Sequence, residues 1–278
     1  MVRADGQEDA APDDQEAEGF GHSRHRILIE LGVLLCLVVA LPVGAVYAAG
    51  RLAGALLPWV PISVDETLGK QASDALVLGH ETCDDAALQQ YIEALAAPLV
   101  ASANGEFEFR FRIVADEAVN AFALPGGYVT VNLGLLSEAA SSEEVAAVLA
   151  HELEHVLQRH STARLLTSLG GSAVLGILLG GTDLGVPAGL VRDVMEGSYS
   201  RAQEAEADRL GIQLLERAGI DPSGMATLFE RLAQSTASVP QILSSHPDPG
   251  DRAKLARQAA QGRTFTRVLP RLPPSSCH

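Results

Sequence analysis

Two histidines four residues apart, set inside a stretch whose pattern permits only a helix, constrain this chain more than any other feature. Ser141-Ser-Glu-Glu144 has the form of a capping box and opens a run in which Val145, Val148, Leu149, Leu153, Val156 and Leu157 recur at helical spacing. Inside that run lies His151-Glu-Leu-Glu-His155. Side chains at i and i+4 project from one helical face, so both imidazoles can reach a single Zn²⁺ at about 2.0–2.1 Å. Glu152 is offset by one residue, where its carboxylate can take a proton from a zinc-activated water. Glu154 points elsewhere and reads as a surface charge. A chance match to this pattern in a chain of this length is on the order of one in a hundred.

A catalytic zinc needs a third protein ligand and an open position. The segment Ser198-Tyr-Ser-Arg-Ala-Gln-Glu-Ala-Glu-Ala-Asp-Arg-Leu-Gly211 offers one on a second helix. Glu204, Asp208 and Gly211 share a face with Ala207 beside them, and such small residues permit a close approach to the histidine helix. Glu204 can then ligate the metal, while Asp208 can accept a ring N–H from a ligating histidine and fix its tautomer. Taken alone, an acidic helix face is more commonly a solvated surface.

The remainder of the 278 residues places this core. Met1 to Gly19 is acidic and poor in large apolar groups, so residues 1–26 are expected to form a disordered tail. Residues 27–49 are apolar enough to span a membrane as a helix, interrupted only by Glu30 and Pro42. Arg24 and Arg26 precede the span, which puts the N-terminus in the cytoplasm and the rest in the periplasm or an equivalent space. The alternative is a signal peptide cleaved near Val46-Tyr-Ala48, giving a secreted protein. A helix is expected near Asp65–Leu78 and another after Asp84 or Asp85, with Leu88, Ile92, Leu95 and Leu99 on one face. Glu106 to Ile113 alternates as a half-buried strand, and Asn120 to Gly127 leads through a Pro-Gly-Gly turn into a second strand at Tyr128–Val131. The fold expected is α+β: a mostly helical domain over 61–257 with a small β-sheet, then a tail over 258–278. Leu165 to Val191, broken by glycine pairs, reads as a loop or short helix over the site or dipping into the bilayer. The net charge of −15 repels a phosphate backbone, so no nucleic-acid partner is expected. Cys36, Cys83 and Cys277 have no metal-knuckle spacing; the last two can pair in an oxidising compartment or remain free.

His151-Glu-Leu-Glu-His155, Glu204-Ala-Glu-Ala-Asp208 and Asn120-Ala-Phe-Ala-Leu-Pro-Gly-Gly127, in this order, resemble the zinc peptidase family that includes the HtpX heat-shock protease, the CAAX prenyl proteases and the periplasmic BepA-type proteases. The resemblance runs from about Pro61 to Arg257. It implies one Zn²⁺ held by His151, His155 and Glu204, the last rather than Glu206 because it stands four before the aspartate. It also implies that Asn120, Ala121, Phe122 and Ala123 form an edge strand that holds an extended substrate through its backbone. Ser245-His-Pro247 looks like the family's late His-Pro motif, which places His246 near the zinc, either stabilising the oxyanion or occupying the open coordination site. The activity implied is a membrane-anchored endopeptidase acting on unfolded or misassembled polypeptides. A membrane-tethered chaperone or assembly factor with a latent zinc site is the alternative. A compact peptidase with one N-terminal span, without the several spans or the helical-repeat extension of some relatives, is expected.

Overall fold

A computed structural model describes residues 25–41, 44, 57–77, 81–170, 197–234, 241–242, 246, 249–274 and 276–277. The chain divides into two units, Met1–Ala48 and Ala49–His278. In the first, residues 25–41 are helical, and their large apolar side chains, from Ile27 to Leu41, are exposed. No helix among the described residues is long and apolar enough to cross a membrane. The expected span at 27–49 continues into residues outside the described set, as do the tail at 1–24 and 171–196 of the glycine-broken stretch.

The second unit is helical with one small sheet. Its elements are α1 (Ile62–Val77), α2 (Ala86–Ser102), β1 (Arg110–Val114), β2 (Ala121–Ala123), β3 (Tyr128–Asn132), α3 (Leu133–Glu138), α4 (Ser142–Leu157), α5 (His160–Leu169), α6 (Arg201–Ala218), α7 (Ser223–Gln234) and α8 (Pro249–Ala260). Asp85 starts α2 by accepting hydrogen bonds from the backbone N–H groups of Ala87 and Leu88, satisfying donors that have no partner within the helix. Leu88, Ile92, Leu95 and Leu99 are then buried, and each contributes about 1.5–3 kcal/mol by leaving water. The sheet runs β1-β3-β2. β2 and β3 form the expected antiparallel hairpin, whereas β1 pairs parallel to β3, a long-range pairing that alternation alone does not specify. Gly126 turns the hairpin at φ 70°. A Cβ there would lie 2.7 Å from the Asp65 carbonyl oxygen, so glycine also lets the turn press against α1.

α4 lies at the centre, packed against α2, α6, α7 and β2. Ser141 Oγ accepts the N–H of Glu144, but the Glu144 carboxylate receives the N–H of Ala140 and the guanidinium of Arg231 instead of completing the box at Ser141. Every residue from Glu144 to Val156 is buried. Glu154 is therefore not the surface charge its sequence position suggested: with neighbours on all sides, α4 has no solvent face there. Its carboxylate accepts from Gln158 Nε2 at 3.2 Å and lies 4.0 Å from Arg217, and burial raises its pKa.

Beyond α8 the chain packs back onto the domain. Ser142 Oγ donates to the Pro270 carbonyl at 2.6 Å, Leu269 packs against the core, and Cys277 forms a disulfide with Cys83, Cα to Cα 5.8 Å. The bond closes a loop across a separation of 194 residues, which restricts the unfolded chain. Cys277→Ser is expected to lower stability by about 2–4 kcal/mol, read as a lower thermal midpoint without reductant. A midpoint equal to that of the oxidised wild type would show that the crosslink adds nothing.

Candidate metal centre

Helix α4 carries His151 and His155 into the interior, and the capped helix α6 runs against it. Ser200 caps α6 with a complete box to Gln203, setting Glu204 in the first turn. Ala207 is fully buried at the contact, and a Cβ on Gly211 would meet the His151 Cα and N at 3.3 Å. The expected close approach is thus present, with no side chain separating the two backbones at that point.

Ligand atoms of His151, His155, Glu204 and His246 all lie within 4.8 Å of one another, and all four residues are buried. His151 Nε2 is 3.0 Å from His155 Nε2, 3.2 Å from His246 Nδ1 and 3.6 Å from Glu204 Oε2. Glu204 Oε1 is 3.5 Å from His155 Nε2, and His246 Nδ1 is 3.0 Å from both Glu204 oxygens. Ligands at about 2.0–2.2 Å around a tetrahedral zinc stand about 3.3–3.6 Å apart, so this donor set fits that ion. Burial, reinforced by surrounding positive groups, holds His151 and His155 well below the usual imidazole range, which favours the neutral, metal-binding form. Burial opposes ionisation of Glu204, but the hydrogen bond and charge of His246, with His151 and Arg252, outweigh it and keep the carboxylate ionised.

Around the donors stand groups that orient them. Asp208 Oδ1 lies 2.9 Å from His151 Nδ1, close but without the alignment of a hydrogen bond. Glu152 is buried, its carboxylate bonded to no side chain and facing the Ala123 backbone, and His246 Nε2 is 3.4 Å from its Oε1. Burial and then the Glu204 charge push its carboxyl well above the usual range. Beside it, a small cavity of about 10 Å³, room for no more than a water molecule, is walled by apolar side chains that include Val148, Met225, Phe229 and Ile242. Asn120, Ala121, Phe122 and Ala123 are all buried at the sheet's edge, where β2 packs on α4. The Ala123 carbonyl accepts from Ser161 Oγ at 2.8 Å.

Three residues at this centre were not singled out by the sequence reading. Arg252 on α8 is buried, contacts Glu204, reaches Asp208 with Nε at 2.8 Å and lies over the Phe229 ring. Tyr199 stacks on His155 with centroids 3.9 Å apart and places its hydroxyl 3.1 Å from Ser161 Oγ. His160, five residues beyond His155, meets that ligand edge to edge. Only His160 left a usable signal, as a third histidine one turn and a half past the motif.

An α+β fold in which one helix supplies His-x-x-x-His and a second supplies a glutamate is the scaffold of the HExxH metallopeptidase class. The profile of Peptidase family M48 matches residues 82–260, and the chain belongs to that family. It is 34% identical over 270 residues to the putative beta-barrel assembly-enhancing protease of Vibrio cholerae, covering 86% of this chain and 54% of the relative. Identity to the beta-barrel assembly-enhancing protease of Escherichia coli is 31% over 256 residues, 84% of this chain and 53% of the relative. The metalloprotease LoiP of Escherichia coli is 31% identical over 173 residues, 60% of this chain and 68% of that protein. The chain thus spans about half the length of the first two relatives.

Chain loaded with zinc and dialysed is expected to retain about one ion per molecule, and Glu204→Ala to retain far less. Equal metal content in the two would remove Glu204 from the ligand set.

Proposed function

We propose that this chain is a zinc-dependent endopeptidase that hydrolyses unfolded or misassembled polypeptides, a task of protein quality control in a bacterial envelope. The observation that carries the reading is the Glu152 carboxylate: buried, hydrogen-bonded to no side chain and adjacent to a ligand, it is a group that a purely structural metal site does not need. Family membership supports hydrolytic chemistry, and the relatives' names support an envelope substrate. A bound zinc would polarise the scissile carbonyl and acidify a water. Glu152 takes the proton and returns it to the leaving amine.

An extended substrate lies along Asn120–Ala123 and, at the Ala123 carbonyl, takes the place of the Ser161 hydroxyl. His246, at 3.0–3.2 Å from His151 Nε2 and Glu204, would fill the fourth position in a latent state and leave it for substrate. That contact also favours a second reading, a tethered chaperone whose metal stays closed. Residues 27–49 anchor the chain with the catalytic unit in the periplasm. Support comes from the exposed apolar side chains of the 25–41 helix and from the Cys83–Cys277 pairing, which an oxidising compartment favours.

Glu152→Gln is expected to bind zinc normally and to digest casein at least about 100-fold more slowly than wild type. Digestion by the variant at the wild-type rate would overturn the peptidase assignment. If neither protein cleaves but both bind unfolded clients, the tethered chaperone is the better reading.

A further inference from the structure

His155 is enclosed completely, and its two ring nitrogens face different neighbours. Nε2 points at His151 and Glu204, while Nδ1 lies 3.1 Å from Nδ1 of His160. A neutral imidazole that ligates through Nε2 must carry its proton on Nδ1. His160 Nδ1 must then accept that proton's hydrogen bond, so the His160 proton resides on Nε2. That atom lies 3.5 Å from Oε2 of Glu206, whose side chain is 46% exposed. The geometry therefore leaves one consistent arrangement, running from the Glu206 carboxylate through His160 to His155.

We propose that His160, backed by Glu206, is a positioning residue that fixes the tautomer and ring angle of the ligand His155. The inference rests on the reading of His155 as a ligand and goes beyond it by assigning work to two residues outside the ligand set. The outer nitrogen of His151 instead stands 2.9 Å from the Asp208 carboxylate, so the outer nitrogens of the two histidines face different groups: one a buried carboxylate, the other a neutral imidazole with a carboxylate one step further out. His160 is held for this task from behind. It opens α5 directly after Arg159, which adopts φ 57° and clamps Asp65 with Nε and Nη2. On the ring face, Tyr199 stacks at an interplanar angle of 20°. His155 is thus fixed in its plane by one neighbour and against tilting by another.

The test measures zinc affinity by competition with a chromophoric chelator, and the visible spectrum of the cobalt-substituted protein, in full-length wild type and three variants. His160→Ala is expected to weaken zinc roughly 10–100-fold and to shift the cobalt bands. His160→Asn, whose side-chain oxygen stands where Nδ1 was, is expected to restore most of the affinity and the wild-type bands. Glu206→Ala, on the surface, is expected to give a smaller loss. Wild-type affinity in His160→Ala would overturn the proposal, as would equal losses in His160→Ala and His160→Asn, which would mean packing alone is at work. Should His160→Ala fail to fold, Glu206→Ala decides: affinity and spectrum unchanged from wild type would overturn it. Wild type that takes up no zinc would instead overturn the ligand assignment itself.

Discussion

The close approach of α4 and α6 is the constraint on which the rest of the centre depends. Where Gly211 faces His151, a Cβ would already press on backbone atoms at 3.3 Å, so the separation of the two helices is set by their main chains. From that contact the helical repeat assigns each turn of α6 a different partner. Asp208, one turn back, reaches the outer nitrogen of His151, and Glu204, two turns back, reaches the inner nitrogens of both motif histidines. A bulkier residue at position 211 would move the whole face outward, and Glu204 would leave the ring of donors along with it.

Bringing so many polar groups inside carries an electrostatic cost, and the composition of the centre shows how it is met. Glu152, Glu204 and Asp208 are buried carboxyls, and Arg252 is the buried cation among them. With neutral imidazoles, and with all three carboxyls ionised as a bound divalent ion would favour, three negative charges against one guanidinium leave two for that ion to balance. Arg252 bridges Glu204 and Asp208, so α8 is tied electrostatically to the face of α6 that serves the ligands. Burial, partly offset by Arg252 and His246, raises Asp208 to about 6. A resident cation reverses that direction, coupling the charge state of the outer carboxylates to metal binding.

What could be read beforehand was what local spacing encodes. The histidine pair, the Ser141 cap, the β2–β3 hairpin and the buried face of α2 each follow from residues within a few turns of one another. Glu204 and Asp208 were legible because a helix presents them at i and i+4. The misreading of Glu154 has the same origin: periodicity identifies which side of a helix is apolar, but not whether further helices also cover the polar side. Arg252 is 48 residues from Glu204, and Cys83 is 194 from Cys277. Over such separations no period connects the partners, and only the packed fold brings them together.

The corner between α4 and α5 joins these elements into one mechanical unit. Arg159 can take its left-handed conformation at the corner because its guanidinium is held by Asp65 and the Leu57 carbonyl, while Thr162 also donates to Asp65. That partly buried ion pair fixes where α5 begins. The next two side chains then serve opposite sides of the site: His160 turns to His155, and Ser161 to the Ala123 carbonyl on β2. Removing Arg159 would leave the Asp65 carboxylate buried and uncompensated, a loss of up to about 3–5 kcal/mol. Its effect would reach the metal ligand and the sheet edge together, since both are addressed from consecutive residues of one helical turn. The chain before α2 is therefore part of the centre's architecture: Leu57 and Asp65 lie upstream of the residues matched by the family profile, yet they hold the corner from which the metal site and the proposed substrate edge are both positioned.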